Sequence, residues 1–180
     1  MANKIKYGIS DVHYAPITTT GFGTPVALPG AVSISLAAEG ERSPFNADNV
    51  EYFVTNVNNG YTGTLEVALF DDDARVALLG EVLDNTSKNL YEKASGAEAP
   101  KFALGFKVKG DAKDTCFWFY NCTLARPQVN AQTKADNIEP NTDTLDITCR
   151  PDANGYVRVK STEDTASLSG WFTSVVATPS

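Results

Sequence analysis

AVSISLAAEGERSPFNADNVEYFVTNVNNGYTGTLEVALFDDDARVALLGE, from Ala31 to Glu81, decides how the rest of the chain is read. Val32, Ile34 and Leu36 alternate with Ser33 and Ser35, and Leu65, Val67 and Leu69 alternate with Thr64, Glu66 and Ala68. Both runs have the period of two of half-buried strands. Strands are expected at about 31–37, 49–56 and 61–70, with a hairpin turn at Asn58-Asn59-Gly60, where Asn and Gly tolerate positive φ. Between the first two lies Ala37 to Asn49, read as a long polar loop. A compact domain rarely carries so long a loop without a use for it, and nothing in this one is catalytic. Contact with another copy of the chain is the expected use, through Glu39, Glu41, Arg42, Pro44, Phe45, Asn46 and Asp48.

The stretch ends in a helix signal. Asp71-Asp72-Asp73 precedes Ala74 to Leu79, and Gly80 follows. Acidic side chains cap free N–H groups and oppose the positive dipole end, while glycine suits the position just past a helix. Upstream, Lys4 to Thr18 reads as extended with a break near Gly8, and Gly21 to Pro29 as a loop with a short strand. Downstream, Phe102 to Val108 alternates clearly. Thr115 to Leu124 contains TCFWFYNC, apolar on both faces, which implies cover on both sides. Residues 126–143 are polar and irregular. Leu145, Ile147 and Cys149 alternate with Thr144, Asp146 and Thr148, Pro151 to Gly155 turns into Tyr156 to Lys160, and a last strand is expected over 170–176. About nine strands and one short helix predict a mainly β fold, a β-sandwich or barrel with a short flanking α-helix.

The 180 residues, 42% hydrophobic and 10% aromatic, fit one domain spanning 1–180 with a sizeable core. No apolar run approaches the ~20 residues of a membrane span, and MANKIKYGIS has no apolar stretch behind its lysines to make a signal peptide. A cytoplasmic site of synthesis is therefore expected. The three cysteines, an odd number, agree with a reducing compartment. Cys116 and Cys122 on one strand stand ~20 Å apart, too far for a disulfide, and no cysteine is spaced with His13 as a zinc ligand set. The net charge of −7 argues against a nucleic-acid-gripping surface. Residues 39–84 carry ten acids and two arginines, whereas residues 88–113 carry six lysines and three acids. Opposed charge of this kind suits complementary faces of a self-associating protein.

Catalysis has no motif here. Asp71–Asp73 lacks calcium-loop spacing, His13 lacks a nucleophile or acid partner, and the Gly21-Phe22-Gly23 and Gly60-Tyr61-Thr62-Gly63 turns are not phosphate cradles. Glu39, Glu41 and Asp48 read as solvated rather than as a glycosidase pair. Trp118, inside the most apolar run, reads as core. No enzymatic activity and no cofactor or metal are expected.

The N-terminal VHYAPI strand, GTPVALPGAVSISLAAEGERSPFNADN and the NNGYTGTLEVALFDDDARVALLGE strand-to-helix segment resemble the major tail protein, or tail tube protein, of long-tailed bacteriophages with non-contractile tails. The resemblance covers roughly residues 1–125, with a compatible β pattern beyond. It implies a tail-tube-like domain that forms hexameric rings stacked into a tube, the conduit through which the genome leaves at infection. It also implies tape-measure, tail-tip and tail-terminator partners, genomic DNA passing without specific binding, no membrane anchor, and a place in the virion tail after assembly in the bacterial cytoplasm. The 37–49 segment would then be an inter-subunit or inter-ring arm. Ser33, Ser35, Glu51, Thr64 and Glu66 would face the lumen, with Thr144 and Asp146 as weaker candidates. A tube subunit of a type VI secretion or contractile injection system shares that logic, and a capsid-decoration or carbohydrate-binding β module is the reading from another class.

Overall fold

The computed structural model describes residues 3–47, 49–94, 98–131, 141–162 and 168–179. Strands β1 (Lys6–Thr18), β2 (Gly21–Phe22), β3 (Val26–Ala27), β4 (Ala31–Glu39), β5 (Arg42–Ala47), β6 (Val50–Asn56) and β7 (Gly60–Val67) lead to the helix α1 (Asp72–Leu79). Strands β8 (Val82–Leu83), β9 (Leu90–Tyr91), β10 (Phe102–Gly110), β11 (Thr115–Leu124), β12 (Asp143–Cys149) and β13 (Arg158–Thr162) follow. The fold is mainly β, as expected, and is built on one large antiparallel sheet in the order β2-β1-β10-β11-β12-β7-β4. Strand β3 is added on β1 and β13 on β11. Strands β1 and β4, well separated in that order, come into contact with each other, so the sheet curls towards a barrel.

The curled sheet encloses the larger core. Leu65 and Val67 of β7, Leu145, Ile147 and Cys149 of β12, and Phe102, Leu104 and Phe106 of β10 all point into it. Ala74 and Leu78 of α1 cover the same cluster. The helix begins where the acids placed it: the Asp71 carboxylate accepts from the Ala74 N–H at 2.8 Å, and Gly80 ends the helix at φ 71°.

Strand β11 is apolar on both faces because both are covered. Phe119 faces the larger core, while Cys116, Trp118 and Tyr120 face a second one. A bulge follows, with Asn121 at φ 47° and a register shift against β10 between Phe102 and Leu104. The extra residue returns Cys122 and Leu124 to the larger core. Cross-strand from Trp118 stands Gly105, where a Cβ would lie 2.6 Å from the indole ring. Only glycine leaves the ring its place.

Three expectations are overturned. The strand expected over 170–176 is a series of turns, with Trp171 N–H donating to Leu168 O at 3.1 Å and Thr173 N–H to Gly170 O at 2.9 Å. This segment caps a sheet face instead of extending an edge: Trp171, Phe172, Val175 and Val176 cover Trp118 and Tyr120. Trp118 Nε1 donates to Trp171 O at 3.2 Å and the Tyr120 hydroxyl to Val176 O at 2.8 Å. Next, β6 does not pair with β7 across Asn58–Gly60, because β7 lies between β4 and β12. Finally, most of the loop expected over 37–49 is strand, since β4 extends to Glu39 and Arg42–Ala47 forms β5, paired with β6.

Candidate functional site

The β4–β7 ladder does not stop at its last registered pair, Glu39 with Gly60. Asn59 N–H donates to Glu39 O at 2.8 Å, Val57 N–H donates to Glu41 O at 3.0 Å, and the pairing resumes at Arg42 with Asn56. Residues 31–67 are thus one long hairpin with an irregular joint at Gly40. A Cβ at residue 40 would stand 2.1 Å from Val57 O, so only glycine permits this approach of the two strands. Beyond the joint, β5 and β6 form a two-stranded sheet of their own and, among the described residues, pair with no other strand. At ~3.3 Å per residue the arm reaches about 25 Å from the joint to its tip. Ala47 pairs with Val50 near the tip, and Asn49 takes φ 62°.

The arm exposes apolar surface. Tyr52 is 77% exposed, Phe53 62% and Val50 61%. Glu41, Arg42 and Pro44 are exposed as well. Proline on a two-stranded ribbon fits a strand with a free edge. Asp48 lies outside the described residues, and Phe45 and Asn46 are placed here by backbone alone, on β5. Glu39 belongs to the root instead. Its carboxylate accepts from Arg150 Nη1 at 2.6 Å and from the Thr62 hydroxyl, while Arg150 Nη1 also donates to Asn59 O at 2.8 Å. The Thr62 hydrogen bond, followed by that from Arg150, holds the Glu39 carboxyl below its ordinary range.

The polar residues expected to share a face do so, with one exception. In register across β4, β7 and β12, Ser33 lies beside Glu66 and Glu66 beside Thr144. Ser35 likewise lies beside Thr64 and Thr64 beside Asp146. The alternate residues Ile34, Leu65 and Leu145 turn to the core. Ser33 Oγ donates to Glu66 Oε2 at 3.0 Å and Thr142 Oγ1 to Glu66 Oε1 at 2.6 Å. Those bonds, Thr142 first, lower the Glu66 pKa and favour the ionised form. The exception is Glu51, which lies on β6 in the arm and not in the large sheet.

Where β1 and β4 meet without pairing, a groove of about 480 Å³ opens. Tyr7 and Ile9 form one wall, Val32 and Leu36 the other, and Phe106 and Phe117 the floor. Lys6 and Arg158 add positive charge. The Arg158 guanidinium lies 5.6 Å from the Tyr61 ring centre and 5.7 Å from that of Phe117, and it donates to Tyr61 Oη at 3.2 Å. Alternation within single strands does not reveal this groove, because it depends on how far the sheet curls.

His13 and Lys107 are engaged structurally. His13 Nδ1 lies 2.9 Å from Asp11 O, and its ring stacks on Phe172 at 4.7 Å. Lys107 is paired with Asp11, and the bond lowers the Asp11 pKa and raises that of Lys107. Among the described residues no group of three or more His, Cys, Asp or Glu converges as a metal site. No helix of the described residues is long and apolar enough to cross a membrane. In comparisons with known proteins, no family model matches the chain and no curated protein matches it.

Proposed function

We propose that this chain is a structural subunit that polymerises with copies of itself into a tube, as the tail tube protein of a long-tailed bacteriophage. The observation that carries this reading is the arm. It extends about 25 Å beyond the joint at Gly40, pairs with no other strand among the described residues and presents Val50, Tyr52 and Phe53 to water. Burying each such side chain gains about 1.5–3 kcal/mol, so the arm has a thermodynamic reason to find cover. The groove between β1 and β4 supplies cover of matching chemistry on a second copy. It is aromatic within and carries Lys6 and Arg158, while residues 41–57 hold three acids against one arginine. Opposite charge fixes the register of such a contact.

In this reading the face of Ser33, Ser35, Thr64, Glu66, Thr144 and Asp146 lines the bore. Ionised carboxylates among hydroxyls repel DNA phosphates and let the genome slide without sticking. Hexameric rings, the tape-measure, tail-tip and tail-terminator partners and a place in the virion tail belong to the same proposal and rest on the resemblance. Negative-stain microscopy and sedimentation of the purified chain over a wide concentration range test it. Rings or tubes that grow with concentration, or on addition of a tail-tip nucleus, are the expected outcome. A strict monomer at millimolar concentration with no nucleated growth would falsify the proposal.

A further inference from the structure

Cys122 and Cys149 are 27 positions apart, yet they are Cα partners directly opposite each other in the β11–β12 ladder. Their Sγ atoms lie 2.8 Å apart, inside the ~3.5–4.0 Å of an ordinary non-bonded contact between heavy atoms. Directly opposed residues of an antiparallel pair have Cα atoms ~4.5–5.5 Å apart, within the ~4.4–6.8 Å span that a disulfide bridges. Cys116 is buried on the other face of β11 against Trp118 and Tyr120, so of the three pairings open to three cysteines the fold assembles one.

From this geometry we infer that Cys122 and Cys149 form a dithiol site that peroxide converts into a cross-strand disulfide clamping β11 to β12. In the first step one thiol, as thiolate, attacks a peroxide oxygen. The O–O bond breaks, and the departing hydroxide takes up the thiol proton as water, leaving a sulfenic acid. In the second step the partner sulfur attacks the sulfenic sulfur and the S–O bond breaks. Hydroxide leaves with the second thiol proton as a second water. Two thiols and one hydrogen peroxide become one disulfide and two waters, with both electrons passing from the sulfur pair to peroxide.

The surroundings set the pace. Both thiols are fully buried, and burial followed by the Cys149 contact raises the pKa of Cys122 well above its ordinary value, so little thiolate is present at neutral pH. Peroxide is small, and the ladder it must enter is short. Strand β11 pairs in register with β12 at Cys122, Thr123 and Leu124, and beside the cysteine pair Arg150 N–H donates to Asn121 O at 3.1 Å and Asn121 Nδ2 to Pro151 O at 2.8 Å. Peroxide reaches the pair when these bonds open locally, so oxidation is slow and gated by that opening. Once formed, the bond closes the chain between residues 122 and 149 and restricts the unfolded state.

The test treats the reduced full-length chain with hydrogen peroxide, removes it, and alkylates the remaining thiols in denaturant. The expected product has lost two hydrogens, carries one alkyl group on Cys116, and yields a Cys122–Cys149 linked peptide on proteolysis. Its thermal midpoint rises by about 10 °C and returns when the bond is reduced. Cys116→Ser should behave in the same way, whereas Cys149→Ser should gain no midpoint. Three alkylatable thiols after peroxide, or a linkage that includes Cys116, overturns the inference. Should Cys149→Ser fail to fold, the peptide map of the unsubstituted chain and of Cys116→Ser still decides.

Discussion

Arg150 holds Glu39 at 2.6 Å, and that ion pair ties the last residue of β4 to the residue that follows β12. Arg150 also reaches Asn59 O, so one guanidinium fastens both strands of the long hairpin at the root of the arm. With the Glu39 pKa lowered by Thr62 and Arg150, the sign is that of a depressed carboxyl. Its contribution is present above the ordinary carboxylate range and lost as the pH falls through the folded value.

The first prediction concerns this root. Arg150→Ala should leave global unfolding almost unchanged, because both side chains are partly exposed and the pair is screened by water. The amides of Val57 and Asn59, which donate across the joint, should exchange hydrogen distinctly faster. Unchanged exchange at both amides would show that the backbone bonds hold the root alone.

The arm gives the second. Replacing Tyr52 and Phe53 together with serine should change folding stability by only about 0.5 kcal/mol, since both are largely exposed. Tube or ring formation should nonetheless be abolished. Replacing residues 41–57 with a short Gly-Ser turn should do the same. Microscopy and thermal unfolding on the same samples separate the two effects, and normal tubes from either variant would remove the arm from the assembly.

Gly105 and Trp118 provide a test of the core. A methyl at residue 105 would stand 2.6 Å from the indole, and the ring, fully buried and bonded to Trp171 O, has no free side to move towards. Gly105→Ala should cost about 1–3 kcal/mol of stability, read as a lower denaturant midpoint with an unchanged slope. A variant as stable as the parent would mean that the second core is looser than its geometry.

Alkaline pH tests the C-terminal cover. Burial pushes the Tyr120 pKa up to about 12, and the neutral hydroxyl donates to Val176 O. A group whose folded pKa lies above its unfolded value of ~10 contributes fully below ~10 and loses that contribution as the pH rises towards 12. Stability should therefore fall over that interval by up to about 2–3 kcal/mol more in the parent chain than in Tyr120→Phe. Parallel pH profiles for the two proteins would contradict this role.

Reversing the charge of the polar face tests the bore. Glu66→Lys combined with Asp146→Lys places lysines on two adjoining rows of β7 and β12. Tubes built from the variant should retain duplex DNA at low salt and release it as salt rises, because each neutralised phosphate adds to the salt dependence. Retention no greater than with parent tubes would place this face elsewhere than the bore, while leaving self-assembly standing.

What the sequence by itself determined was local. The period-two runs at 31–36, 64–67, 102–108 and 144–149 became strands because half-buried strands must alternate, although the strand expected to run on to residue 70 stops at Val67 and leaves Leu69 exposed. Asp71 with Gly80 bounded the helix because helix ends need just those partners. The run of apolar residues on both faces of β11 told that both would be covered. Strand β6 was legible at 49–56, but β5 escaped, because its polar, proline-containing sequence imitates a loop, and so did its pairing with β6. Residues 170–176 misled for the opposite reason: they are apolar enough for a strand, but they seal a sheet face, where packing rewards any backbone path that delivers Trp171 and Val176. Only the tertiary structure decided that β7 lies between β4 and β12, that the Asn121 bulge turns Cys122 to the side of Cys149, and that the edges of β1 and β4 leave a groove. These are relations between residues far apart in the chain, set by the curl of the whole sheet and by which surfaces it must close off from water, and no window of neighbouring residues contains them.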